Sequence, residues 1–264
     1  MKKVFKITWI SILSTLVKML AQLLTKDGFQ NFNSFKTAIG DIPYEFILVN
    51  FLVFVLLTIV FIYVNDKIPS TKLSKGLLYS LCVSLVWFVL RFEPNSYDQI
   101  IDYFIDILIF FVPMLIYGIF LGYLSDPRKH SLDFSKSYVA SIFVGAFWIL
   151  FRVIYFLIDI DEPKTNNTIS VIIWLLVAGV VIGFIFWMIY KNIRMNIVSS
   201  QLCIFGISLM VFLSYYSFEF VSLKSFYSLQ LLKITFDLLA ISSGTSIGHL
   251  VFKKELDSEK TTSK

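Results

Sequence analysis

From Thr165 to Tyr190 the chain carries no charged side chain. A run of that length can cross the ~30 Å hydrocarbon core of a bilayer, for which about 20 apolar residues suffice. Phe46 to Asn65, Ile107 to Ser125 and Met195 to Phe218 are equally free of charge. The segments from Gly76 and from Ser137 are interrupted only by an arginine near their far ends; further apolar segments run from Tyr227 to Phe252 and from Val4 to Leu24. Charged residues make up 16% of the chain and hydrophobic ones 57%, where soluble domains carry about 25% charge. Lipid must therefore be the solvent for most of the surface. The expected fold is all-α, a polytopic bundle of about eight transmembrane helices forming one membrane domain over 1–252, with a disordered tail at 253–264.

Charge asymmetry predicts the orientation. With the amino terminus placed in the cytoplasm, fifteen basic residues fall on the inner side: Lys2, Lys3, Lys6, Lys67, Lys72, Lys75, Arg128, Lys129, Lys136, Lys191, Arg194, Lys253, Lys254, Lys260 and Lys264. Four fall outside, Lys26, Lys36, Lys164 and Lys224, beside an acidic set that includes Asp27, Asp41, Glu93, Asp159, Asp161 and Glu219. By the positive-inside rule both termini are cytoplasmic. The net charge of +5 then reflects orientation and contact with anionic lipid. It does not indicate a nucleic acid partner. The excess of Phe, Ile, Lys and Asn over Ala and Arg is that of an AT-rich genome, pointing to the cytoplasmic membrane of a low-GC bacterium.

The first helix is the most polar. Thr8, Ser11, Thr15, Lys18, Gln22 and Thr25 alternate spacings of three and four, which places them in one stripe. Such a helix either spans with the stripe inward or lies at the interface. Spanning is expected, because apolar residues cover the remaining circumference. Lys18 interrupts the apolar region and no small-residue cleavage site follows, so the segment does not read as a cleaved signal peptide and the mature chain is expected to start near Met1.

An internal repeat runs through the middle. At an offset of 61 residues, Ser74, Lys75, Ser80, Val83, Trp87 and Arg91 align with Ser135, Lys136, Ser141, Val144, Trp148 and Arg152. The register continues into the glycine pairs Gly118/Gly122 and Gly179/Gly183, and a third pair, Gly244/Gly248, follows near the end. The unit is a helical hairpin, with copies at about 4–66, 74–126, 135–190 and 199–252. Glycines four apart make a flat strip against which another backbone can pack. Packing is the simpler role for these pairs; a thin-walled pathway or hinge is the sharper one, weakened because Pro113 is the only clearly internal proline.

Charged residues inside the windows are the functional candidates, since each costs roughly 2.5–3.5 kcal/mol at the bilayer centre on insertion scales. Arg91 and Arg152 lie about 15 residues beyond the inner ends of their helices, roughly 22 Å at 1.5 Å per residue. They are expected to reach external headgroups, or else to pair inward with Asp102 and Asp106 or hold an anion. Asp237, about ten residues into the last helix and roughly 15 Å deep, cannot snorkel. Its expected partner is Lys233 one turn away. An ion site, or a pair with Arg152 or Lys18, is the alternative.

Catalytic patterns are missing. Cys82 and Cys203 are single, and His130 and His249 show no paired ligand spacing. No enzyme activity, cofactor or metal is expected. Two functions stay open: an accessory, immunity or scaffold protein that associates laterally with another membrane protein, or a small transporter or channel using the buried charges, with its substrate unspecified.

Overall fold

The computed structural model describes residues 2–26, 44–68, 71–93, 100–125, 138–158, 168–192, 197–223 and 227–262. Side chains are described for 4–21, 47–66, 68, 71–93, 111–125, 138–158, 168–191, 197–216 and 231–251. Among the described residues there are eight α-helices and no strand: α1 (Lys2–Lys26), α2 (Tyr44–Val64), α3 (Lys72–Arg91), α4 (Ile100–Gly122), α5 (Tyr138–Leu157), α6 (Thr168–Asn192), α7 (Ile197–Leu223) and α8 (Tyr227–Thr262). Seven are long and apolar enough to cross a membrane; in α4 the described apolar stretch is Phe111–Gly122. Hydrocarbon offers no hydrogen bonds to a backbone, and the helix satisfies every N–H and C=O within its own segment. The result is an all-helical bundle compatible with a membrane. α8 continues as helix to Thr262, through the segment predicted to be a disordered tail. Lys253, Lys254, Glu255, Leu256, Glu259 and Lys260 are good helix formers, so nothing there stops a helix already running.

The chain divides into two compact units. The first comprises Met1–Phe88, Tyr97–Ser131 and Ser214–Phe226; the second comprises Val89–Ser96, Leu132–Leu213 and Tyr227–Lys264.

In the first unit α1 packs on α2 and α4. Ser11, Thr15 and Lys18 are 0%, 4% and 2% exposed, whereas Trp9, Leu16 and Leu20 are about half exposed, so this part of the polar stripe faces protein. Thr8 departs from the expectation: it is exposed and donates to its own helix at Val4 O, 3.1 Å away. Gln22 and Thr25 lie outside the described side chains. α2 and α4 run parallel, since Thr58 meets Tyr117 and Ser125 meets Asn65 at sequence separations of 59 and 60. α3 and α4 run antiparallel and touch through backbone. A side chain at Gly76 would collide with Gly118 O and come within 2.7 Å of Gly122 N; one at Gly122 would lie 3.1 Å from Leu73 Cα.

In the second unit α5 lies between α6 and α8. On one side Gly145 meets the backbone of Gly179, and a side chain at Gly183 would come within 2.6 Å of Ser141 O. On the other, a side chain at Gly244 would sit 2.6 Å from Val144 Cα, and one at Gly248 would lie 3.1 Å from Ala140 O. Both interfaces are antiparallel. α6 and α8 are therefore parallel, and Tyr190 packs edge-on against His249 between them. Thr245 Oγ1 on α8 donates to Gln201 Oε1 on α7 at 3.0 Å. The glycine contacts do not share a register at the offset of 61. Gly145 aligns with Ser84, eight residues on from the Gly76 that fills the same role in the first unit. Each hairpin closes where a glycine permits backbone approach, and the permitted point lies about two turns apart in the two cases.

Candidate functional site

One face of α5 is buried throughout: Ala140, Val144, Gly145, Trp148, Arg152 and Tyr155. Spacings of three and four residues keep these side chains on one side of the helix. On α8 the matching buried positions are Lys233, Asp237, Gly244 and Gly248. Gly248 against Ala140 and Gly244 against Val144 bring the two axes close. The next contacts along the antiparallel pair are then short enough for an aspartate to reach across.

Asp237 uses both carboxylate oxygens. Trp148 Nε1 donates to Oδ1 at 2.8 Å, and Arg152 Nη2 donates to Oδ2 at 3.0 Å. Arg152 and Asp237 are 2% and 1% exposed. The Arg152 guanidinium carbon sits 5.2 Å from the Trp148 ring centre and 5.5 Å from that of Tyr155. Lys233 Nζ lies 5.9 Å from the same Tyr155 ring. Trp148 also packs edge-on against Trp174 at 5.8 Å, whose indole N–H donates to Val89 O. The charge is thus clasped between one indole donor and one guanidinium inside an aromatic shell. Such a pair survives burial only when its geometry is good and its donors are satisfied.

This arrangement differs from one sequence expectation. Arg152 is not a headgroup anchor: its guanidinium meets Asp237. That pair between helices is the alternative the sequence offered for Asp237 beside Lys233. Lys233 stands beside Tyr155. Arg91, aligned with Arg152 in the repeat, is half-buried at the last residue of α3, where a cation complements the carboxyl end of a helix. The two arginines therefore occupy different environments despite the matching sequence. Asp106 and Asp102 fall in α4, but their side chains lie outside the described residues, as does Asp159. Gly118, Gly122, Gly179, Gly183, Gly244 and Gly248 all sit in helix contacts.

Trp148, the second donor to Asp237, was not singled out as a site residue in the sequence. Its recurrence at the repeat position of Trp87 was the available signal. Trp87 is 1% exposed and carries a cation on its ring as well, Lys18 Nζ at 5.4 Å from the centre. In each unit, then, a buried tryptophan accompanies a buried base. Among the described residues no three His, Cys, Asp or Glu side chains gather.

Searches against protein-family models, curated proteins and solved structures give no match.

Proposed function

We propose that this chain works in the plane of the cytoplasmic membrane of a bacterium as a non-enzymatic accessory, immunity or scaffold protein, docking laterally against a helix of another membrane protein through α7. The observation that supports this is Gly206. Of the nine glycines described, eight would drive a side chain into neighbouring atoms, whereas nothing lies within 4 Å of a side chain placed at Gly206. Glycine inside a helix costs about 0.5–1 kcal/mol relative to alanine. Close backbone contact offsets that cost at the other eight positions. At Gly206 nothing among the described residues does, and a helix from outside would.

The surrounding face suits such a contact. Cys203 and Met210 are half-buried, and Leu202 and Phe205 are 69% and 41% exposed, forming ridges beside a shallow trough. In lipid, association is driven by such close packing of small residues. The charge count, fifteen inside against four outside, supports cytoplasmic termini on the same reading.

The buried cluster of Arg152, Lys233 and Asp237 favours a second reading, a small transporter or channel. Against it, both Asp237 oxygens are held by fixed donors, which suits a structural clasp better than a site that must release an ion.

Cys203 supplies the test. In a Cys82→Ser background, bifunctional thiol–amine cross-linking in native membranes is expected to give one discrete adduct that Gly206→Leu abolishes. A chain that stays monomeric in membranes, but carries proton or tracer flux in liposomes, would overturn the association reading in favour of transport.

A further inference from the structure

Two buried polar groups of the second unit meet no partner among the described residues, and they stand at neighbouring helix ends. Tyr190 is 4% exposed, and its hydroxyl touches neither a donor nor an acceptor. Its ring is stacked on Trp187 at 5.2 Å and lies edge-on to His249 at 5.9 Å, so packing holds the hydroxyl where it is. Gln201 is engaged at one end only. Its Oε1 takes the 3.0 Å contact from Thr245, while its Nε2 is buried and unmatched. The phenol and this amide are neighbours across α6 and α7, yet they do not reach hydrogen-bond distance of each other. Polar groups that are neighbours without touching are where a bridging water sits, and a buried water satisfies groups that otherwise have no partner. Position favours its supply. Tyr190 lies two residues before the end of α6 at Asn192, and Gln201 four residues after the start of α7 at Ile197, about 3 and 6 Å along the helix axes.

We propose that Tyr190 and Gln201 bind an internal water molecule that bridges α6 and α7 at this end of the second unit. The two anchors are uncharged, and the phenol can both donate and accept. Turning the Gln201 amide over would put its oxygen where the nitrogen stands, and water matches either atom, whereas an ion matches one. Thr245 fixes the amide, and Trp187 and His249 fix the phenol, so the anchors are set in place by packing rather than gathered by the water. The bridge ties the first turns of α7 to the last turn of α6, and it does not depend on lateral association with another protein.

X-ray radiolytic footprinting of the full chain in detergent tests the site, because hydroxyl radicals form from water where it stands and oxidise the nearest side chain. Tyr117 is the dry control: it is fully buried and its hydroxyl meets Thr58. Tyr190 is expected to be oxidised several-fold faster than Tyr117, and Gln201→Met should bring its rate down towards that of Tyr117, with the thermal midpoint as the check that the fold is kept. Where Gln201→Met does not fold, the wild-type comparison decides by itself. In a double-mutant cycle Tyr190→Phe and Gln201→Met should be coupled, the double variant losing little more stability than either single one. The proposal is overturned if Tyr190 is oxidised no faster than Tyr117, if a folded Gln201→Met leaves the Tyr190 rate unchanged, which would mean ordinary solvent access at the helix end, or if the two losses simply add.

Discussion

Arg152 and Asp237, 85 residues apart in the chain, meet at 3.0 Å between α5 and α8. The contact depends on the glycine strip about two to three turns further along α8. Asp237 has a short side chain, and only helices as close as Gly244 and Gly248 allow could place its carboxylate on a guanidinium and an indole at once. Packing and electrostatics are here one device: the strip sets the distance, and the ion pair then fixes the register along it.

Removing one partner of this pair should be worse than removing both. Arg152→Met takes the guanidinium away from buried Asp237, and Asp237→Leu takes the carboxylate away from buried Arg152; each is expected to cost about 3–5 kcal/mol. The double variant should recover most of that loss, because a buried pair is often replaceable by apolar groups of similar volume. Reversible unfolding in detergent measures the coupling. Additive losses would show that the pair does not act as a unit.

Tyr117 and Thr58 offer a milder contact of the same kind in the first unit. Thr58 Oγ1 donates to Phe54 O at 2.6 Å, so the 3.0 Å contact with Tyr117 is donated by the phenol. Tyr117→Phe is expected to lose about 1 kcal/mol, the usual size of a hydrogen bond between helices in a membrane. Thr58→Val should lose a similar amount. The double variant should lose little more than either, which a double-mutant cycle would measure.

The glycines separate into two kinds by substitution. Gly145→Ala places a methyl group against the Gly179 carbonyl, and backbone cannot yield as a side-chain tip can. A loss of about 1–3 kcal/mol is expected, the cost of overpacking. Gly206→Ala meets nothing among the described residues, and should stabilise the isolated protein by about 0.5–1 kcal/mol through helix propensity. Thermal midpoints of the two purified variants should shift in opposite directions. Destabilisation by Gly206→Ala in the isolated chain would show that its open face is already occupied.

Much of the helical architecture was legible because apolar windows announce themselves residue by residue. Charged residues inside them stood out for the same reason. Which base meets Asp237 across helices did not, Arg152 and Lys18 both being open. Local spacing offered Lys233 four residues away, while Trp148 and Arg152 are 89 and 85 residues distant and become neighbours only once α8 has docked on α5. The same limit applies to glycine. Pairs four apart were visible as strips, but Gly76 and Gly145, which meet two of those strips, are isolated in sequence and carry no periodic signal. The repeat predicted equivalent environments for Arg91 and Arg152, yet one caps a helix end and the other lies five residues inside its helix. Identity of sequence does not fix where a helix stops.

The proposed orientation can be tested from outside the cell. Fifteen basic residues against four is a bias that the positive-inside rule turns into a definite topology, and the alternation of parallel and antiparallel neighbours within each unit fits a chain whose successive helices reverse direction. Single cysteines at positions 33, 97, 164 and 222, introduced into a background lacking Cys82 and Cys203, should react with an impermeant maleimide in intact cells. Cysteines at positions 70, 130 and 192 should react only after the membrane is opened. A single inverted hairpin would be revealed by one inner position labelling alone. Labelling at 70, 130 and 192 together, with the outer set silent, would invert the whole protein and place the Lys233 side of the bundle in the cytoplasmic leaflet.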